Sequence, residues 1–234
     1  MDTHRSLTTQ DDGFVTVKTW LPTLPFPRNE DREEIVTERL IIRPWKLDDV
    51  PAVHVIRTQP EVMMWTSQAR PDANLAETEA KVKLFTAPND VANFNFVICD
   101  KATGEMIGLG GNHLRESHVG WPELGYILRK EYWGRGLATE FLRGFLEAYR
   151  KLPRSQVELR VAATSIVPSL IDGEMADELL IAQVEPSNVR SHGVMKKVGF
   201  EYFTEITEYD AHNPSKPVTL AVYRYLPARA EESR

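Results

Sequence analysis

Cysteine is almost missing from this chain: Cys99 stands alone among 234 residues. A single thiol cannot close an intrachain disulfide, and no cysteine cluster is there to hold zinc. Cys99 sits in the apolar run Phe94 to Cys99, which reads as an inert core thiol. No apolar run reaches the ~18 residues that a bilayer demands, so no membrane span is expected. The opening MDTHRSLTTQDDG has no basic-then-apolar signal pattern, and a cytoplasmic protein is the default expectation. Positive charge is not in surplus either. With 28 basic and 34 acidic residues the net charge is −6, which argues against a general nucleic-acid or anionic-membrane binder. There is no repeat of fixed period and no low-complexity tract.

What is present is organised around Glu123 to Arg150, ELGYILRKEYWGRGLATEFLRGFLEAYR. Leu124, Tyr126 and Leu128 alternate as in a strand. Gly134 and Gly136 follow, then a helix in which Leu137, Phe141, Phe145 and Tyr149 recur every fourth residue. The first N–H groups of a helix lack partners inside it, and the macrodipole adds positive charge there. Glycine lets phosphate approach that backbone closely. Gly134 to Thr139 therefore reads as a phosphate cradle; the alternative is a strand-to-helix corner that needs glycine only for its dihedrals. Arg129, Lys130, Arg135, Arg143, Arg150 and Arg154 lie close by in sequence. Glutamates are interleaved with them, so a phosphate-rich ligand and a solvated face of ion pairs both remain open.

Residues 1–36 form a polar, proline-rich N-terminal extension in which Phe14, Val15 and Val17 suggest a short added strand. Thr37 to Arg43 reads as a strand. Asp48 or Asp49 is placed to cap a helix through Arg57, and Asn74 to cap another through Phe85. Asn93–Cys99 and Met106–Asn112 read as a hairpin. Gly108, Gly110 and Gly111 leave its second strand bare, as for a bulge or a close approach by another chain or a ligand. His113 and His118 lie beyond it and read as solvated loop residues. Past the glycine-led helix come a β-like run, Val157 to Val167, an acidic segment, Pro168 to Glu178, and a strand, Leu179 to Val184. Ser187 or Asn188 caps a last helix that Gly199 stops. Phe200–Thr207 and Val218–Tyr225 form a final hairpin around HNPSKP. This order implies an α/β or α+β sheet with helices on its faces.

EYWGRGLATE, followed further on by NVRSHGVMKKVGF, resembles the GCN5-related N-acetyltransferase (GNAT) superfamily. The TERLIIR start is similar to its ribosomal-protein alanine N-acetyltransferase-like branch. The resemblance covers Thr37 to Leu226 and implies a GNAT fold: a mixed, mostly antiparallel twisted sheet of about seven strands, helices on both faces. It implies that Gly134, Arg135, Gly136, Leu137, Ala138 and Thr139 hold the pyrophosphate of acetyl-CoA, although Trp133 replaces the motif's first residue. It implies that Asn188 touches the pantetheine arm, that Ser191 lies near the sulfur, and that a backbone N–H near Ile127 or Leu128 holds the thioester carbonyl. No metal is expected. The implied reaction is direct acetyl transfer to a primary amine, either a small molecule or a protein N-terminus, by a monomer or homodimer.

For that chemistry Glu123 is the candidate general base, with a surface glutamate as the bland alternative. Many relatives carry a tyrosine acid where this chain has Met195, which cannot donate a proton. Ser191 is then the candidate acid, and Tyr126 ranks second. Loss of the tyrosine also leaves a non-catalytic acyl-CoA sensor as a second reading. The chain between the cradle helix and Asn188 is longer than in relatives. Leu179 to Val184 is taken as the family's strand and residues 155–178 as an insertion, whose acids Asp172, Glu174, Asp177 and Glu178 would draw in a cationic amine or keep a flap soluble. The domain is expected to span 37–226, with a tail at 227–234.

Overall fold

The apolar residues of the central strands fall on two faces, and helices cover both. The computed structural model describes residues 13–172, 175–209, 215 and 217–227. Its strands and helices in chain order are β1 (Phe14–Pro22), β2 (Ile35–Val36), β3 (Leu40–Arg43), α1 (Val50–Arg57), α2 (Pro60–Met63), α3 (Leu75–Lys83), β4 (Phe94–Asp100), β5 (Met106–Leu114), β6 (Glu123–Leu128) and α4 (Leu137–Arg150). Then follow β7 (Arg154–Ala162), β8 (Ile171–Asp172), β9 (Met175–Ala176), β10 (Leu180–Val184), α5 (Val189–Lys197), β11 (Glu201–Tyr209) and β12 (Pro217–Tyr225). The eight-stranded main sheet has the order β11-β12-β10-β6-β5-β4-β3-β2. Every pairing in it is antiparallel except β6 with β10, which run parallel.

On one face, Phe141, Phe145 and Tyr149 of α4 pack with Phe94, Phe96 and Leu124 and with Met195 of α5. The Phe141–Phe145 and Phe145–Tyr149 ring centroids are 6.0 and 5.8 Å apart, as the four-residue period requires. Each such ring, fully buried, contributes roughly 1.5–3 kcal/mol. On the other face Val53 and Ile56 of α1, Val62 of α2 and Val82 of α3 close over Val97, Cys99 and Leu109. Cys99 is buried there, its thiol pushed up by burial.

The bare second strand of the hairpin is approached from within the molecule. A Cβ on Gly110 would stand 2.7 Å from the Phe141 ring, and one on Gly108 would stand 2.6 Å from the Ile127 carbonyl. These glycines let α4 and β6 lie close to β5, in place of another chain or a ligand. Asp49 also differs from expectation. Its carboxylate accepts from the Lys46 N–H at 2.8 Å and takes a two-bonded pair from Arg43, so it ties β3 to the loop instead of capping α1. Asn74 does cap α3, accepting from the Glu77 N–H at 3.0 Å.

A second sheet, order β7-β1-β9-β8, joins the N-terminal segment to the chain between α4 and β10. All of β1, from Phe14 to Pro22, pairs antiparallel with Ala162 to Arg154. The strand read from Val157 to Val167 thus begins at Arg154 and stops at Ala162. Val15, Val17, Leu159 and Val161 face inward onto Trp121, Ile181 and Val222. Residues 212–214 and 216 of the HNPSKP turn, the Asp172 side chain, Glu174, residues 1–12 and residues 228–234 fall outside the described residues.

Candidate active site

β6 and β10 meet only at Glu123 and Ile181, where the Ile181 N–H donates to the Pro122 carbonyl at 2.9 Å. Beyond that point a cleft of about 830 Å³ opens between them, lined by Leu124–Leu128 on one side and Ala182–Val184 on the other. Register decides which backbone groups face it. The Arg129 N–H donates to Ile107 at 2.8 Å, and Leu128 stands opposite Gly108. Hydrogen-bonded pairs alternate along an antiparallel ladder. Ile127 therefore spends its N–H on Leu109, while Tyr126 and Leu128 turn theirs into the cleft. Of these two residues, Leu128 turns its N–H toward the cleft and Ile127 does not. The Leu128 carbonyl is already taken by Trp133 Nε1, 2.7 Å away.

At the far end of β6 the cleft reaches Gly134, Gly136, Leu137, Ala138 and Thr139. Gly134 and Gly136 have φ of +75° and +80°, the left-handed region, and Gly136 is the N-cap residue of α4. The corner thus needs glycine for its dihedrals, and it is also open. A Cβ at Gly134 would meet nothing within 4 Å, and one at Gly136 only Arg39 Nη2 at 3.6 Å. Arg39 fixes the corner by donating to the Arg135 carbonyl at 2.9 Å and pairing with Glu140 at 2.7 Å. Of the basic residues nearby, Lys130 pairs with Glu61 at 2.7 Å, Arg129 with Glu105 and Glu131, and Arg154 with Glu178 at 3.0 Å. Arg135 and Arg190 lie over the Tyr132 and Trp133 rings instead, at 5.1 and 5.2 Å.

α5 starts across the cleft. The Asn188 side chain caps it, accepting from the Ser191 N–H at 3.1 Å. Ser191 Oγ lies 3.1 Å from Tyr126 Oη, so the two residues ranked as candidate acids form one hydroxyl pair that lines the cleft. Burial pushes the Tyr126 phenol up, and the bond to Ser191 pulls it back in part. Met195, one turn along α5, is buried in the core.

The opposite face carries a different chemistry. Leu109 and Ile127 pack toward α1–α3, and the period of two puts Glu123, Gly125 and His113 on that side. The His113 ring lies against Gly125, where a Cβ would stand 3.0 Å from its Cε1. His113 Nε2 and Glu123 Oε1 are 3.8 Å apart. This is not a charged pair at neutral pH, because burial, and then the charge of Lys81, pull the imidazole down to about 4. Behind it Arg57 makes two 2.8 Å bonds to Asp72, which also accepts from Thr78 and Gln68. Lys81, which the sequence does not single out, and His113, which it reads as a solvated loop residue, both line the cleft. His113 follows Leu109 and Gly111 at a spacing of two, which was the available signal. The acids of the 168–178 segment are not at the cleft as far as they are described: Glu178 is held by Arg154, with burial raising its carboxyl.

Among the described residues no helix is long and apolar enough to cross a membrane. The family model described as an acetyltransferase (GNAT) domain matches residues 39–201. A Bacillus licheniformis protein named uncharacterized N-acetyltransferase p20 is 26% identical over 131 residues, 55% of this chain and 73% of that protein. The solved structure of RimL, a ribosomal L7/L12 α-N-protein acetyltransferase with coenzyme A, superposes with a TM-score of 0.61 at 15% identity, covering 83% of this chain and 98% of that one. Spermidine N-acetyltransferase from Vibrio cholerae, with CoA and spermine, gives 0.58 at 15% identity, covering 82% and 98%. At those identities the likeness is one of fold.

Proposed function

The chain belongs to the acetyltransferase (GNAT) domain family, and from that premise we propose that it transfers an acetyl group from acetyl-CoA to a primary amine by direct attack in a ternary complex. The observation that carries the reading is the parting of β6 from β10 into a cleft that runs from the glycine cradle to the Tyr126–Ser191 pair. Acetyl-CoA supplies the activated acetyl group as a thioester. The N–H groups at Arg135 to Thr139 and the α4 dipole suit its pyrophosphate. Asn188 flanks the path of the pantetheine arm, and the Leu128 N–H is aimed to hold the thioester oxygen, a preorganised donor worth about 2.7–4 kcal/mol in such roles.

The two faces divide the proton traffic. The amine loses a proton as its nitrogen bonds to the acetyl carbon, and Glu123 is the base for it. The carbon–sulfur bond breaks, and the departing thiolate takes a proton from the opposite face, where Tyr126 and Ser191 lie. A phenol matches a thiol in acidity far better than an alkyl hydroxyl does. Tyr126 is therefore the donor and Ser191 its hydrogen-bond partner, the reverse of the order read from sequence. With a tyrosine supplied from β6, Met195 no longer favours a silent CoA sensor.

Acetyl-CoA-dependent release of free thiol across a panel of amines tests the reading. CoA binding with no release for any amine would sink it and revive the sensor. Glu123→Gln is expected to lower kcat/KM by order 10²-fold when measured well below the amine's pKa, and by less as neutral amine accumulates at higher pH. A pH–rate profile parallel to that of the parent would remove Glu123 from the role of base.

A further inference from the structure

Lys81 has no part in the chemistry above. It enters the cleft from the last turn of α3 and lines it together with His113 and Glu123. Its Nζ lies 5.8 Å over the Phe85 ring. Among the described residues no hydrogen bond or ion pair holds that ammonium. Asp72, whose charge Lys81 feels, is saturated by Arg57, Thr78 and Gln68. Arg57 is thereby paired but still charged, and His113 is held uncharged. The C-terminal end of α3 offsets part of the cost of this cation, but burial still disfavours its charged form, and Arg57 adds repulsion. Lys81 is half-buried, and a partly desolvated cation without an anion is disfavoured; the natural remedy is an anion that arrives with a ligand.

Taking the acetyltransferase reading as given, we infer that the preferred acceptor is a primary amine bearing a carboxylate on a short arm, with Lys81 receiving the carboxylate while the amine lies toward the gap between β6 and β10. A lone ammonium suits a monoanion. A phosphate would call for several donors, and Arg57, the guanidinium whose charge Lys81 feels, is committed to Asp72. A polyamine would bring further positive charge against Lys81, which selects against it. Two sources share the favoured chemistry: free amino acids, and peptides whose first residue is acidic.

The test is a set of matched pairs in the thiol-release assay. Glycine, β-alanine and 4-aminobutyrate are each compared with their own carboxamides, tripeptides beginning with Asp with those beginning with Asn, and spermidine is run alongside. In the parent protein the carboxylate member of at least one pair is expected to win by roughly 10- to 100-fold in kcat/KM, the value of a hydrogen bond to a charged group. Which pair responds tells free amino acid from peptide. Lys81→Met should bring that ratio to about one with CoA affinity kept, and Lys81→Arg should retain part of it. Ratios near one in the parent, a preference for spermidine, or a ratio unmoved by Lys81→Met each overturn the inference and leave the acetyltransferase standing. Absence of amine-dependent thiol release with every amine in the set would overturn both. Should Lys81→Met fail to fold, the parent's own ratio and that of Lys81→Arg still decide.

Discussion

Gly136→Asp is expected to weaken CoA binding by about 10³-fold while the melting temperature stays within a few degrees of the parent. The two halves have separate causes. Gly136 is the N-cap of α4 in the left-handed region, and its missing Cβ would meet only Arg39 Nη2, at an ordinary contact distance of 3.6 Å. Aspartate is among the better N-cap residues and tolerates positive φ better than most, so helix and fold should survive. A carboxylate at that place would, however, stand where the cradle is to receive pyrophosphate. Two unit charges 4 Å apart repel by about 4 kcal/mol at an effective dielectric of 20, and tenfold in affinity is about 1.4 kcal/mol. Gly136→Ala is the control. It carries the dihedral strain of roughly 1–2 kcal/mol without the charge, so it should cost stability more than affinity. Calorimetric titration with CoA, beside thermal melts of both variants, separates the effects. A Gly136→Asp protein that binds CoA as the parent does would take the cofactor out of this corner.

The ease with which each part could be read from the sequence follows the range of the interaction that makes it. α4 announces itself because Leu137, Phe141, Phe145 and Tyr149 keep a local period, and its glycine start is a neighbour in the chain. The Asn188 cap is equally local. By contrast β1 and β7 each alternate as half-buried strands, yet nothing in either names its partner across the sequence from 14–22 to 154–162. The second sheet is therefore invisible until the chain is folded. The same holds for the hydroxyl pair. From the sequence Tyr126 ranks only second to Ser191 as an acid, and nothing there says that the two touch; α5 brings them together across the cleft. His113 looked solvated because it was read alone, although its face was implied by Leu109 and Gly111. A lysine near a helix end resembles any solvated cation, and Lys81 differs only in what the fold withholds from it.

Tyr126→Phe is expected to lower kcat by about 10²- to 10⁴-fold, the usual span for loss of a positioned proton donor, with CoA affinity nearly unchanged. The phenol touches Ser191 at 3.1 Å and lines the cleft, while its ring packs against the α4 face of the sheet. Phenylalanine keeps that packing, so the loss falls on the hydroxyl. Ser191→Ala should cost less, because it removes the partner that orients the phenol and leaves the phenol itself. If the two act as one device, the double variant Tyr126→Phe with Ser191→Ala should be no slower than Tyr126→Phe alone, since effects within a unit do not add. Leaving-group acidity gives the sharper reading. A proton donor matters most when the departing thiolate is basic, so the Tyr126→Phe deficit should shrink with an acetyl thioester of a more acidic thiol. Additive losses from the two substitutions, or a deficit indifferent to the leaving thiol, would return Tyr126 to a packing role and leave the thiolate to be protonated by water.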